Sequence, residues 1–234
     1  MVNDVIDLDG PRHGPAAGER ARALVVFLHG LGADGDDLIS LAPMLEPLLP
    51  GTAFVSPHAP QACDMAPMGR QWFSLQDRDP DLLLTGVAAA APCLDAFLDA
   101  ELARLGLRDD RLALVGFSQG TMTALHTALR RPKPCAVVVG FSGALLKPEV
   151  LGEEIASRPP VLLVHGDADM VVPFEALALA EEALQLNGVP VAAFRRPGLG
   201  HGIDQEGLQL CAMALVQHLF PETLAGGEGT RPRA

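Results

Sequence analysis

The sequence predicts an α/β fold: a mostly parallel central sheet with helices on both faces. Three observations carry that expectation. Short runs of valine, leucine and alanine recur along the chain, they are apolar at nearly every residue, and segments with helical spacing separate most of them. A strand that is apolar on both faces must be covered on both, and parallel strands need crossover connections, which the helices supply. In such open sheets the functional site lies at the carboxyl ends of the strands.

Residues 1–20 are expected to contribute one or two short edge strands. The β-like runs then follow at Ala23–Leu28, Thr52–Val55, Leu112–Val115, Ala136–Val139, Val161–Val164 and Val191–Phe194. Leu83–Leu105 reads as the longest helix, with Leu94, Phe97, Leu98 and Leu102 on one face and a kink expected at Pro92. A further helix spans Phe174–Leu186, stopped by Asn187-Gly188 with Pro190 beyond, and Gly207–Leu219 reads as the last. The stretch His58–Leu82 has no regular pattern and holds the single tryptophan, Trp72. A loop of that length inside a compact domain is usually functional. Its Met65, Met68, Trp72, Phe73 and Leu75 either line a pocket or pin the loop to the body.

The chain has 234 residues, 49% hydrophobic and 20% charged, which fits one globular domain over residues 1–221. The last residues, 222–234 (ETLAGGEGTRPRA), have no apolar face and are expected to be a disordered tail. A net charge of −12 repels phosphate backbones, so no nucleic-acid partner is expected, and no polybasic grip on anionic lipid. The apolar runs read as strand-sized, short of the ~18 residues of a membrane span, so no integral membrane segment is expected. MVNDVIDLDG at the start carries acidic residues where a signal peptide is basic, and the expected address is cytoplasmic. Cys63, Cys93, Cys135 and Cys211 are scattered, without a disulfide or zinc spacing, and read as reduced thiols.

The chemistry concentrates in LALVGFSQGTMTAL, residues 112–125. An apolar strand meets Gly116-Phe117-Ser118-Gln119-Gly120 and a helix follows at once. Gly-x-Ser-x-Gly between strand and helix is the nucleophile elbow of the α/β-hydrolases, whose glycines let strand and helix pass closely around a strained serine. Gly140-Phe141-Ser142-Gly143 repeats part of the motif, but Ala144 replaces the second glycine and Lys147-Pro148 interrupts any helix. Ser118 is therefore the expected nucleophile, and Ser142 a strand-end loop serine.

A serine hydroxyl needs a base, and the base an orienting acid, in the order Ser, Asp or Glu, His. After Val161–Val164 comes HGDADMVVP, where Asp167 and Asp169 compete. Asp167 follows the turn glycine and suits a local backbone cap, whereas Asp169, further out, is the expected acid. After Val191–Phe194, His201 sits between glycines in RRPGLGHG and is the expected base. His218 and His126 fall on helices and read as packed residues. Two backbone donors are expected for an oxyanion: the N–H of Gln119 and that of Leu31 in the loop HGLGADG. That loop lacks the endings of a phosphate-binding loop, and no histidine spacing fits a metal, so no cofactor and no metal are expected. His29 and His165 each precede a glycine at a strand end and suit structural hydrogen bonds. His58 has no evident chemical role.

Together, LHGLGADGDDL, PHAP, RQWF, GFSQG, FSG, HGDADMVVP and GLGHGI stand in an order that resembles the carboxylesterase family, which includes the acyl-protein thioesterases. The likeness covers about Ala23 to Leu219. It implies an α/β-hydrolase fold without a large lid domain and a triad of Ser118, Asp169 and His201, with Leu31 and Gln119 N–H groups as oxyanion hole. It implies a small-molecule ester substrate, with a thioester or a lysophospholipid as the alternative. A hydrolase fold kept only for binding is the remote one. Two positions depart from the family's habit: Thr121 stands where a glycine is frequent, and Ser74 where an aspartate is.

Overall fold

The structure is a computed structural model that describes residues 7–15 and 18–222. In chain order come β1 (Arg12–His13), β2 (Ala23–Leu28), the single-turn helices α1 (Gly35–Leu38) and α2 (Ala42–Leu45), and β3 (Thr52–Val55). A small hairpin, β4 (Gln61–Ala62) and β5 (Arg70–Gln71), precedes the long α3 (Pro80–Leu105). Then follow β6 (Leu112–Phe117), α4 (Gln119–Arg130), β7 (Val137–Phe141) and α5 (Leu151–Glu154). The chain continues with β8 (Val161–Gly166), α6 (Glu175–Leu186), β9 (Val191–Arg196) and α7 (Gln205–Leu219).

Among the described residues, seven strands form one sheet in the order β1-β3-β2-β6-β7-β8-β9. All neighbours run parallel except β1, the expected edge strand, which pairs antiparallel with β3. The order reverses at β2, which has β3 on one side and β6 on the other. A crevice opens at such a switch point, beyond the carboxyl ends of the strands.

Alternate strand residues serve opposite faces. Leu24, Val26, Leu28, Leu112 and Leu114 join a core with Leu94 and Leu98 of α3 and Leu125 of α4. Val25, Phe27, Ala113 and Val115 face Leu45 of α2 and Leu215 and Leu219 of α7. β9 is the exception to the fully apolar reading. With a neighbour on one side only, its residues are half-buried or exposed, and Phe194 is 41% exposed.

Asp79 caps α3 by accepting from the N–H groups of Asp81 (2.9 Å) and Leu82 (3.2 Å), and Pro80 opens the helix where no N–H is needed. Gly106, at φ 65°, ends it in the left-handed conformation that a side chain would resist. The helix continues through Pro92, which deprives the Ala88 carbonyl of its intrahelical donor. Among the described residues α3 is the one helix long and apolar enough to cross a membrane. Here its Val87, Leu94, Phe97 and Leu98 pack into the core.

Cys93, Cys135 and Cys211 are buried free thiols and Cys63 is a half-buried one. Burial pushes the Cys135 and Cys211 thiols up to about 12. The expected disordered tail lies outside the described residues from 223 on. Its first residue, Glu222, pairs with Arg22 at 2.8 Å.

Candidate active site

Ser118 follows the last residue of β6 and caps the N-terminus of α4 with φ 54° and ψ −117°. That backbone is costly for any residue with a Cβ, and the surroundings enforce it. The Ser118 N–H donates to Phe141 O on the neighbouring strand (2.9 Å), and its carbonyl accepts from Thr121 N–H (3.0 Å) as α4 begins. The flanking glycines have steric causes. A Cβ on Gly116 would stand 2.5 Å from Thr121 N, and one on Gly120 would collide with Leu28 O at the end of β2. The motif thus marks where α4 passes closest to the sheet.

Thr121 occupies space left by two other glycines. A Cβ at Gly140 would lie 2.5 Å from Thr121 Cγ2, and one at Gly143 would collide with Thr121 Cβ. Thr121 Oγ1 also donates to Phe141 O at 2.9 Å. Ser142 caps the end of β7 with φ 45°, buried, and among the described residues its hydroxyl has no hydrogen-bond partner.

Asp169 lies in the loop after β8. Its Oδ1 accepts from Val171 N–H (2.8 Å) and Val172 N–H (2.9 Å), and its Oδ2 accepts from His201 Nδ1 at 2.7 Å. Burial alone would raise this carboxyl, but the hydrogen bonds from His201, Val172 and Val171 outweigh it and hold it below the usual carboxylate range. A carboxylate only accepts, so Nδ1 of His201 carries the hydrogen and Nε2 is left with its lone pair. The His201 ring rests on Phe117, centroid to centroid 4.8 Å. Asp167 stays out of the triad, but its main partners are distant in sequence and not the local backbone that its position suggested. It accepts from Gly198 N–H (2.7 Å) and from Arg195 Nε (2.7 Å), tying the two loops together away from His201.

Ser118 and His201 line the same cavity, of about 490 Å³, with Gly30 and Leu31 beside them. Its walls are mainly aliphatic, including Leu75, Leu83, Met122, Leu146, Val172 and Leu179, and its charged members are Arg78 and Glu175. Such a concave apolar site with a few convergent polar groups is the usual form of a small-molecule pocket. Among the loop candidates, Leu75 lines the cavity, and Trp72 and Phe73 are buried pins. Met65 and Met68 point to solvent, at 51% and 80% exposed.

The Leu31 loop is clamped by the β5 strand. Gly32 N–H donates to Arg70 O (2.9 Å), and Arg70 N–H returns to Ala33 O (2.8 Å). Gly69 permits this approach, since at φ 84° any Cβ would collide with Gly32 O. His29 donates from Nδ1 to Gly30 O (2.8 Å) and accepts at Nε2 from Ala59 N–H (3.0 Å), while His58 Nδ1 accepts from Gly35 N–H (3.0 Å). Both are structural hydrogen bonds, and burial lowers the His29 pKa. His126 is buried within α4, and His218 is half-buried on α7.

Gln119 carries a role that spacing did not reveal. Its Oε1 accepts from Trp72 N–H (2.9 Å) and its Nε2 donates to Phe73 O (2.7 Å), while Trp72 Nε1 donates to His29 O (3.0 Å). The residue after the elbow serine therefore fastens the irregular loop to the start of α4, and Trp72 fastens it to the β2 loop. No cluster of three or more His, Cys, Asp or Glu side chains suited to a metal occurs among the described residues.

The comparisons with known proteins agree with this architecture. The crystal structure of esterase PE8 superposes with a TM-score of 0.87 at 42% identity, covering 91% of this chain and all of that one (100%). Esterase YpfH of Escherichia coli (strain K12) is 28% identical over 212 residues, 89% of this chain and 90% of its own. Acyl-protein thioesterase 1 of Gibberella zeae is 29% identical over 225 residues, 89% of this chain and 95% of its own. The family model described as phospholipase/carboxylesterase matches residues 15–219. An α/β-hydrolase sheet, an elbow serine at its switch point and a match over nearly the whole chain lead to one assignment: the chain belongs to the phospholipase/carboxylesterase family.

Proposed function

We propose that the protein is a serine carboxylesterase that hydrolyses carboxylic esters through an acyl-enzyme, with residues 1–221 as its single catalytic domain and the cytoplasm as its place of work. One observation carries the reading. His201, hydrogen-bonded to Asp169 at 2.7 Å, shares an apolar cavity with a serine on a strained strand-to-helix turn.

In this reaction His201 Nε2 takes the proton of Ser118 Oγ as the oxygen attacks the ester carbonyl. Asp169 keeps Nδ1 protonated and stabilises the imidazolium. The oxyanion accepts hydrogen bonds from the N–H groups of Gln119 and Leu31. Gln119 is the first residue of α4, where no intrahelical acceptor exists for its N–H, and the helix dipole favours negative charge there. Collapse of the tetrahedral intermediate breaks the ester C–O bond, and the alkoxide leaves with the proton held on Nε2. Water, deprotonated by His201, then attacks the acyl-Ser118 ester and releases the acid, returning the proton to Ser118.

A second reading, an acyl-protein thioesterase or lysophospholipase, draws on the cavity itself. Its walls are aliphatic and its lining includes exposed Val171 and Leu179, which suits a long acyl chain entering from solvent. Nitrophenyl esters from acetyl to palmitoyl, beside matched thioesters, separate the two. A peak at short chains supports the carboxylesterase, and a peak at long chains or on thioesters supports the second reading. Ser118→Ala is expected to lose turnover by several powers of ten on either substrate. Activity near wild type in that variant would sink the mechanism.

A further inference from the structure

His165 is a buried histidine for which the mechanism above has no use. It lies in β8, and its side chain is 2% exposed. Its Nε2 stands 3.0 Å from Val172 O and 3.4 Å from Asp169 Oδ2. A carbonyl oxygen only accepts, so Nε2 carries a hydrogen, and that hydrogen sits between the carbonyl and the carboxylate. The Phe174 ring stands edge-on to the imidazole, 6.0 Å between centroids at 80°, and fixes the ring plane.

The contacts of Asp169 give this N–H its importance. Apart from His201, the acid's hydrogen bonds come from Val171 and Val172, members of its own loop. A carboxylate held only by its own loop moves with that loop. His165 supplies a tie from the sheet, grasping the loop at Val172 O while facing the oxygen that receives His201. Val171 and Val172 also line the cavity, so the same tie sets one of its walls.

We propose that His165 is a positioning residue for the triad acid: its Nε2–H anchors the Asp169–Val172 turn to β8, so that the carboxylate meets His201 in one orientation. This rests on Asp169 and His201 acting as the acid–base pair of Ser118. The titratable group facing His165 is Asp169, and through it His201. The other charged side chains lining the cavity of His201 are Arg78 and Glu175.

The test compares His165→Phe, which keeps a ring but removes the donor, with His165→Gln, whose amide places an N–H near the Nε2 position. The readouts are kcat, KM and the pH profile of kcat on nitrophenyl acetate, with Ser118→Ala alongside. His165→Phe is expected to lose kcat between about 10- and 100-fold, short of the ~10⁴-fold that a disabled triad acid costs. KM should change less than about threefold, because the loss falls on the transition state. The acidic limb should move to lower pH, since a displaced carboxylate stabilises the imidazolium less. His165→Gln should recover most of the rate and the wild-type limb.

Unchanged kcat and limb in His165→Phe would overturn the proposal. So would an equal loss in both variants with the limb unmoved, which is the mark of packing alone. If His165→Phe does not fold, His165→Asn, whose amide stops short of Val172 O, takes its place in the same comparison. Should Ser118→Ala keep its activity, the triad reading itself fails. A dead Ser118→Ala beside an unaffected His165→Phe would remove the positioning role alone.

Discussion

Ser118 stands at the start of α4 and His126 lies within it, and both are nearly buried. Ser118 opens onto the apolar cavity, whereas His126, two turns on, lies at the bottom of a separate groove beside Pro92, Asp95 and Arg130. Burial, with help from the nearby Arg130 charge, lowers the His126 pKa to about 4. The unfolded chain binds a proton there near pH 6.5 and the native state does not until about pH 4. Native stability should therefore fall as pH drops through that window, by up to about 3 kcal/mol from this residue, and level off below it. Chemical denaturation at a series of pH values checks this, with His126→Gln expected to flatten that part of the curve. Asp169 acts in a lower window with a shift in the same direction. Its carboxyl is held below its unfolded value of 3.8, so its contribution is full above that pH and is lost as pH falls further.

At the scale of elements, the region around Ser118 rests on close approach between backbones. α4 lies so near β2, β6 and β7 that glycines are required at positions 116, 120, 140 and 143, and Thr121 fills what the last two leave. Gly140→Ala should destabilise the protein by about 1–3 kcal/mol, because its Cβ meets Thr121 Cγ2 at 2.5 Å and Leu163 Cδ2 at 3.1 Å. Thr121→Gly in the same chain should return much of that loss. A double-mutant cycle in urea measures the coupling, and strictly additive effects would contradict the packing account. At the far end of α4, buried Arg131 binds Asp95, Asp99 and Asp109. Burial alone would lower its pKa, but the hydrogen bonds that it donates to Asp109 and Asp99 more than offset this and raise it. The helix that presents Ser118 is thus fixed at both ends, by sheet contact at one and by ion pairs at the other.

At the scale of the molecule, one cavity joins the elbow of β6, the loops after β2 and β8, the His58–Leu82 stretch and the start of α6. Replacing Ala176, a small residue of its α6 wall, with Phe should fill part of the space. The expected result is a loss of about tenfold or more in kcat/KM on long-chain esters, with acetyl ester hydrolysis within about threefold of wild type. An equal loss on both would place the acyl chain elsewhere. The strands of the large sheet and the three proposed triad residues have local signals in the sequence: an apolar run, then a glycine-bounded turn, then a polar residue. The β4–β5 hairpin, by contrast, lies inside a stretch that reads as irregular. The Gln119 bridge to Trp72 has no such signal, since it joins residues 47 apart and follows no period. Nor have α1 and α2, because Pro43 and Pro47 break that segment into single turns that show no helical stripe. The carboxyl ends of the strands ran past their expected limits, as in β6 to Phe117 and β8 to Gly166, because parallel pairing continues through glycine and histidine. The central claim is that Ser118 is the group acylated during turnover. The most direct measurement is reaction with an organophosphonate, followed by intact mass and peptide mapping. The account predicts one adduct per chain, on Ser118, appearing in step with the loss of esterase activity. An adduct on Ser142, or full inhibition with Ser118 unmodified, would contradict it.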